Sequence, residues 1–164
     1  MVPLTIATEL LTAAIALSGL PAITPEQLPP LYAVSRTDLA QLICPQQPQQ
    51  CPSMAAVFDS EGYRILILST LDLKDPEDNS FLVHELVHVL QFKQHGDAGF
   101  DSCQRVVASE RAAYAVQNRY LAVRGLFSQQ GMMMRYTQCP PEKTDRETNP
   151  LAPPARPAIG ESPS

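Results

Sequence analysis

The sequence predicts an α+β domain in which a small sheet of about three strands, antiparallel or mixed, packs on two long helices, with a further helix at the N-terminus. Three features support this class. A capped helical segment begins at Asp75 and ends near Gln94, and a second runs from about Asp101 to Gly125. Residues 54–69 have the pattern of a hairpin.

The first twenty residues predict an amphipathic helix rather than a signal peptide. Pro3 and Gly19 suit the two helix boundaries. A secretory signal would need a basic n-region, but the first cationic residue is Arg36, and Glu9 interrupts the apolar stretch. The apolar residues at helical spacing are Ile6, Leu10, Ala14 and Leu17.

A short strand and a short helix follow a proline-rich connection. Residues 31–35 (LYAVS) predict the strand. Ser35 and Asp38 then form a capping-box pattern, with an acid in place of the usual Glu or Gln, and predict a helix that ends near Ile43.

The hairpin pattern comes next, with AAVF as one arm and YRILIL as the other. The turn is Asp-Ser-Glu-Gly, in which Gly62 is able to take a positive φ. Residues 65–68 (ILIL) place isoleucines on one face and leucines on the other. Because both faces are apolar, we expect this strand to be covered on both sides, by a helix on at least one.

The long helix has an unusually clear start. Asp75 is an N-cap residue, Pro76 fits the first helical position, and acidic residues fill the first turn. The helix should stop before Gly96. Beyond Cys139 the composition becomes proline-rich and poor in bulky apolar residues, so we expect a domain over 1–139 and a disordered tail over 140–164.

Composition excludes two classes of function and favours an oxidising compartment. The net charge of −5 argues against nucleic-acid binding, and no apolar run approaches the length of a transmembrane helix.

Of the three possible pairings of the four cysteines, we favour Cys44–Cys51, which encloses only PQQPQQ, together with Cys103–Cys139. Disulfides imply a secreted or periplasmic protein, whereas four reduced cysteines would fit the cytosol.

Residues 81–95 (FLVHELVHVLQFKQH) contain a His-Glu-x-x-His motif. His84 and His88 are four residues apart, so on a helix they lie on one face and can bind a single ion. Glu85 is rotated by about 100 degrees from His84, which directs it away from the ligand set and makes it a candidate general base. The alternative is a chance match on a buried helix, but two histidines and a glutamate among apolar residues need polar partners.

Glu110 is the favoured third ligand. It follows His88 by 22 residues, which is enough to end the first helix, turn, and return antiparallel to a similar depth. Asp97 and Asp101 are rivals. The metzincin pattern fails, because a glutamine stands where it requires the third histidine, and His95 instead suits the helix C-terminus.

Three further residues could act on this site. Tyr114 lies one turn beyond Glu110 and could hydrogen-bond an oxyanion or orient a ligand, although it could also serve only in helix packing. Gln91 and Gln117 are candidates to support the ligands from behind.

With VHELVHVLQ followed by Glu110 and Tyr114, residues 55–121 resemble zincin metallopeptidases of the gluzincin-like type. Within that group, they resemble a little-characterised family of small secreted bacterial zincin-like proteins. The resemblance implies a minimal zincin-like fold and Zn²⁺ bound by His84, His88 and Glu110, with Glu85 as the base. It also implies that the strand at 63–68 is the edge strand to which an extended peptide substrate adds.

One position departs from the thermolysin-like pattern, which has an aspartate where this chain has Tyr114. The chain is also too short for a second lobe, so we expect a shallow groove, or one built from the N-terminal helix and loops. The resemblance implies a zinc-dependent hydrolase, a small secreted metallopeptidase acting on peptides or proteins. A non-catalytic zinc-stabilised protein-binding module is the alternative, and a disulfide-stabilised module without metal is a third.

Overall fold

A computed structural model describes residues 3–141 and has the expected α+β architecture, with a three-stranded mixed sheet and an N-terminal helix. The predicted tail lies outside the described residues from position 142 onward. The helices are α1 (Leu4–Ser18), α2 (Arg36–Ile43), α3 (Pro76–His95) and α4 (Cys103–Ala122). The strands are β1 (Leu31–Val34), β2 (Ala56–Asp59) and β3 (Arg64–Leu68).

The sheet has the strand order β1-β3-β2, with β1 parallel and β2 antiparallel to β3. This order corrects one expectation: β3 is the central strand, and the edge strand beside α3 is β2. The correction follows from β1, which pairs with β3 on the side that the hairpin leaves open and places Leu31 opposite Ile65. The expectation that β3 is covered on both faces is confirmed, because its isoleucines join the core of α1 and α3 while its leucines pack with Leu39 of α2.

The hairpin turn has its positive φ at a residue other than its glycine. Tyr63, and not Gly62, has the positive φ, at 44°. A Cβ at Gly62 would lie 2.6 Å from Oδ2 of Asp59 and 2.9 Å from Nε of Arg64, so the ends of these two side chains would have to shift to admit one. These two side chains form an ion pair at 2.7 Å across the end of the hairpin. The turn therefore does not use the capacity of Gly62 for a positive φ.

α3 is the central helix of the domain. It packs on α1, α4 and β2, and its middle is buried on every side, including residues 82–91. A helix that is buried on all sides is expected to be apolar on all sides, so polar side chains in its buried part are unusual. The start is as predicted, because the Asp75 side chain accepts a hydrogen bond from the Glu77 N–H and Pro76 is the first helical residue. His95 is the last helical residue, and Gly96 follows with φ of 59°.

α4 returns antiparallel to α3 after a short 3₁₀ turn. Its N-cap is Ser102, whose side chain accepts a hydrogen bond from the Arg105 N–H, so the helix begins two residues later than expected. It also ends at Ala122 rather than Gly125, which has φ of 75° in the turn that follows.

Both predicted disulfides, Cys44–Cys51 and Cys103–Cys139, are present. The second ties the C-terminal end of the described chain to the start of α4. Within residues 3–141, no helix combines the length and apolar composition that crossing a bilayer requires.

Residues 126–139, here called the strap, run back along α4 from its end to its beginning. Gln130 exchanges hydrogen bonds with Asn118, at 2.8 and 3.1 Å. Further along, Arg111 donates to the carbonyl oxygens of Met134 and Thr137. The strap therefore lies antiparallel to α4, and the Cys103–Cys139 disulfide closes its far end.

Candidate metal centre

α3 presents its two histidines on one buried face. His84 and His88 are 6% and 7% exposed, and their Nε2 atoms lie 3.1 Å apart. The four-residue spacing places the two rings one above the other along the helix, with their centroids 4.8 Å apart. The motif thus directs two nitrogen atoms to one point.

Glu110 of α4 reaches the same point. Its Oε2 lies 3.2 Å from Nε2 of His84, and its Oε1 lies 3.4 Å from Nε2 of His88. The antiparallel return of α4 brings it to the depth of the histidines, as its place in the sequence suggested. The rival acids are elsewhere: neither Asp97 nor Asp101 belongs to this cluster, and Asp101 pairs with Arg105 at 3.3 Å.

The spacing of these three residues suits one metal ion. One ligand atom from each lies within 4.8 Å of the others. Two ligands of a tetrahedral ion, each about 2.05 Å from it, lie about 3.3 Å apart, which is close to the nitrogen–nitrogen and nitrogen–oxygen separations of the cluster. Two imidazoles and a carboxylate also form a common donor set for a divalent ion. The cluster could therefore hold a metal.

A buried hydrogen-bond chain orients His84 from behind. The Ser80 hydroxyl donates to the carbonyl of Glu77, so it accepts from the Gln117 amide nitrogen, at 3.0 Å. The amide oxygen of Gln117 therefore points to Nδ1 of His84, 3.1 Å away. Nδ1 must carry the hydrogen of the neutral ring, which leaves the Nε2 lone pair directed at the cluster.

A second chain does the same for His88. The Gln91 amide nitrogen donates to the backbone carbonyl of Ser109, at 3.2 Å, which turns its oxygen to Nδ1 of His88, at 2.8 Å. The Ser109 hydroxyl also donates to this amide oxygen, at 2.6 Å. Because both histidines donate from Nδ1, two Nε2 lone pairs converge, and a cation between them would relieve their repulsion.

The charges of the cluster act in the same direction. Burial alone would raise the pKa of Glu110, but its contacts with the imidazoles of His84 and His88 outweigh burial and hold that pKa well below its ordinary value. Burial alone would lower the pKa of His88, but the hydrogen bond to Glu110 and the charges of Glu85 and Glu110 raise it.

Glu85 lies beside the cluster but outside it. One of its carboxylate oxygens accepts a hydrogen bond from the backbone N–H of Phe58 in β2, at 2.7 Å. No other hydrogen bond to Glu85 occurs within residues 3–141, although the residue is only 8% exposed. The edge strand thus holds the carboxylate in place while its second oxygen remains available to a ligand.

Tyr114 packs directly on the first histidine. Its ring centroid lies 4.4 Å from that of His84, and Gly131 of the strap covers the ring closely enough that a Cβ at Gly131 would lie 2.2 Å from Cγ of Tyr114. Burial raises the pKa of Tyr114, and the charges of Glu110 and Glu85 add to this effect. The hydroxyl is therefore protonated at neutral pH and can act as a donor.

The cluster forms the floor of a two-lobed groove. The lobe on the His88 side has a volume of about 310 Å³, and the lobe on the His84 side about 230 Å³. Both lobes are bordered by Met54, Ala56, Glu85 and Tyr114. The His88 lobe adds Val57, Phe58, Ser60 and Phe100, and the His84 lobe adds Ser53, Ala55, Phe81, Gln117, Gln130 and Gly131.

The walls of the groove differ from one expectation. They come from the segment 53–60 and from the strap, whereas α1 lies on the other side of α3 and α4 and lines neither lobe. A separate cavity of about 520 Å³ lies behind Gln91 and Ser109, next to Arg105, and reaches none of the three cluster residues.

Sequence reasoning missed several contributors to the site. Ser80 is four residues before His84, so helical spacing alone could have identified it. Ser109 adjoins Glu110, but only the packing of α4 on α3 brings it to Gln91. Nothing in the sequence indicated that Phe58 would bind Glu85 or that Gly131 would cover Tyr114.

Comparison with known proteins gives a family but no characterised relative. No curated protein and no solved structure matches the chain. A family model described as "Domain of unknown function (DUF6647)" matches residues 16–145. The match includes β1 to α4, both disulfides and the three residues of the cluster. Because it spans well over half of the sequence, the chain belongs to the DUF6647 family.

Proposed function

We propose that this chain is a small secreted zinc-dependent hydrolase of zincin-like type, and that it cleaves peptide bonds. The observation that carries the proposal is the separation of roles in the groove. His84, His88 and Glu110 supply three convergent ligand atoms, while Glu85 adjoins them without joining the set. Three protein ligands with an open side are typical of catalytic zinc sites, whereas structural sites use four. The two disulfides fit an oxidising compartment.

Zinc bound here would act as a Lewis acid that polarises the substrate carbonyl and lowers the pKa of the attacking water. Glu85 would accept the proton of that water, because its second oxygen is not used by the protein within the described residues. Tyr114 would donate a hydrogen bond to the oxyanion that develops on the substrate. The hydrogen bond from Phe58 would keep Glu85 oriented during the reaction.

The edge of β2 offers a place for an extended substrate. The Leu68 N–H donates to the Ala55 carbonyl, so Ala55 and Leu68 form a hydrogen-bonded pair of the antiparallel ladder. Because such pairs alternate along the strand, the backbone N–H and C=O groups of Ala56 and Phe58 point away from β3. The Phe58 N–H is used by Glu85, which leaves Ala56 as the residue whose N–H and C=O could pair with a peptide. Such a peptide would lie along the groove floor.

A pair of isosteric variants tests the proposal. Glu110→Gln should reduce zinc affinity strongly, because a neutral amide is a poor zinc ligand. Glu85→Gln should retain zinc and keep the contact with Phe58 through its amide oxygen, yet abolish cleavage of a peptide library, because the amide cannot accept a proton. Zinc content and cleavage are measured on the same samples. Loss of zinc from Glu85→Gln with retention by Glu110→Gln would reverse the assigned roles.

One observation favours a second candidate, a non-catalytic zinc-stabilised protein-binding module. The Glu85–Phe58 hydrogen bond ties α3 to β2, so Glu85 also has a structural use. Under this alternative, the wild-type protein binds zinc, cleaves no member of the library, and loses thermal stability when Glu85 is replaced by alanine.

A further inference from the structure

Charge is distributed very unevenly along the described chain. Residues 3–110 contain five lysines and arginines against 13 aspartates and glutamates. Residues 111–141 contain four arginines, Arg111, Arg119, Arg124 and Arg135, and no lysine, aspartate or glutamate. α4 from Arg111 onward and the strap therefore form a cationic region on an otherwise acidic protein.

The same region exposes large apolar side chains. Phe127, Met133 and Tyr136 are 82%, 77% and 75% exposed, and Val123 at the end of α4 is 68% exposed. Met132 is half exposed as well. None of these side chains lines either lobe of the groove or the cavity beside Arg105. They project from the surface, which is unusual for residues of this size unless they meet a partner.

The arginines are held in place without being neutralised. Arg111 donates to two strap carbonyls, and Arg119 donates to the carbonyl of Leu17. Arg124 donates to the carbonyl of Tyr120 and stacks on its ring, with Cζ 3.5 Å from the centroid. No carboxylate of residues 3–141 forms an ion pair with any of the four. Carbonyl contacts hold three of the four guanidinium groups, and their charge remains to attract an anionic surface.

We propose that α4 and the strap form a docking surface for an anionic phospholipid membrane, here called the arginine face. Projecting aromatic and methionine side chains among arginines suit the boundary between headgroups and acyl chains. An acidic polypeptide fits less well, because three of the four arginines already use donors on backbone carbonyls. The exposed apolar residues also line neither lobe of the groove nor the cavity beside Arg105. Binding to a membrane requires only that the arginines are attracted to the anionic headgroups and that the exposed apolar side chains insert a short way among the lipids.

Docking of this kind would place the groove close to the membrane. Gln130 and Gly131 of the strap form part of the groove wall, so the arginine face borders the metal centre. The inference does not depend on the proposed hydrolysis, because it rests on charge and exposure outside the ligand cluster.

Co-sedimentation of the full chain with vesicles tests the proposal. Vesicles that mix phosphatidylglycerol with phosphatidylcholine should bind the protein at low salt, and vesicles of phosphatidylcholine alone should bind it weakly. Each arginine near an anionic surface contributes about fivefold to binding, so R124Q/R135Q should weaken it about 25-fold. F127S/M133S/Y136S should weaken it by at least about tenfold, because the inserted side chains are lost.

A matched control removes a cation and an exposed apolar residue from the acidic part of the chain. K74Q/L42S should leave vesicle binding unchanged, because Leu42 is 45% exposed on α2 and neither residue belongs to the arginine face. Unchanged zinc content and melting temperature would establish that each variant is folded. Absence of binding to anionic vesicles overturns the proposal, as does equal loss in the control. Binding to polyglutamate without binding to vesicles would also overturn it, in favour of an acidic polypeptide.

Discussion

The amide oxygen of Gln117 lies 3.1 Å from Nδ1 of His84, and Gln117 is fully buried. Ser80 sets the orientation of the Gln117 amide. The tautomer of His84 in α3 therefore depends on Gln117, which lies on α4. Amide side chains thus hold both histidines of the candidate metal centre from behind, and we expect metal affinity to depend on these residues although they contact no ion.

Gln117→Leu should lower metal affinity by about 10–100-fold, because Nδ1 of His84 loses its acceptor and the ring loses its fixed orientation. The measurement is a competition titration with a chromophoric chelator. Gln104→Leu, an exposed change on the same helix, serves as the control. Equal affinity of Gln117→Leu and the wild type would mean that packing alone orients the ring.

The stability of the metal-free chain should depend on pH through Glu110 and His88. Glu110 has a lowered pKa in the folded chain. Its contribution to the free energy of unfolding is therefore complete above the ordinary pKa of 4.5, and it is lost as the pH falls through the lowered pKa. His88 has a raised pKa, so its contribution is complete below 6.5 and is lost as the pH rises through the raised value. The stability difference between wild type and Glu110→Gln should therefore be greatest between pH 4.5 and 6.5.

Metal binding should have the opposite dependence on pH. A ligand histidine must be deprotonated, and the raised pKa of His88 strengthens the competition of protons with the ion. The increase in melting temperature on adding zinc should grow as the pH rises from about 5.5 to about 7.5. An increase that is constant over this range would show that His88 is not a ligand.

Gly131→Ala should destabilise the protein by more than the backbone strain alone. Gly131 has φ of 70°, and a Cβ there would overlap the ring of Tyr114. Gly125→Ala is a matched control, because Gly125 has φ of 75° and no atom of residues 3–141 lies within 4 Å of its Cβ position. The control should cost about 1–2 kcal/mol of unfolding free energy, and Gly131→Ala should cost about 1–3 kcal/mol more. Urea denaturation measures both, and equal losses would show that the strap yields without strain.

The two disulfides should contribute unequally. Cys103–Cys139 joins residues 36 apart, whereas Cys44–Cys51 joins residues only 7 apart. Chain entropy alone predicts a loss of about 4 kcal/mol on removing the first and about 2.5 kcal/mol on removing the second. C103A/C139A should also make residues 126–139 sensitive to protease, because the strap loses its far attachment. C44A/C51A is the control, and equal protease sensitivity of the strap in both variants would contradict this role.

Much of the fold and the ligand cluster could be predicted because the signals are local. The caps of α3, the spacing of His84 and His88, and the return of Glu110 all depend on helical geometry over one or two turns or on a short connection. The disulfides followed from an even cysteine count and one tight spacing. In each case the relevant residues are close in sequence or lie on one periodic face.

Only the tertiary structure decided how the rest of the chain surrounds that cluster. β2 became the edge strand because β1 takes the other side of β3, and this places Phe58 against Glu85, 27 residues away. The strap covers Tyr114 because a disulfide and side-chain contacts hold it along α4. Contacts of this kind depend on packing between segments distant in sequence, for which neither periodicity nor local propensity carries a signal. The sequence by itself thus determined the chemistry available to the site, and the packing decided which backbone and side-chain groups hold it in place.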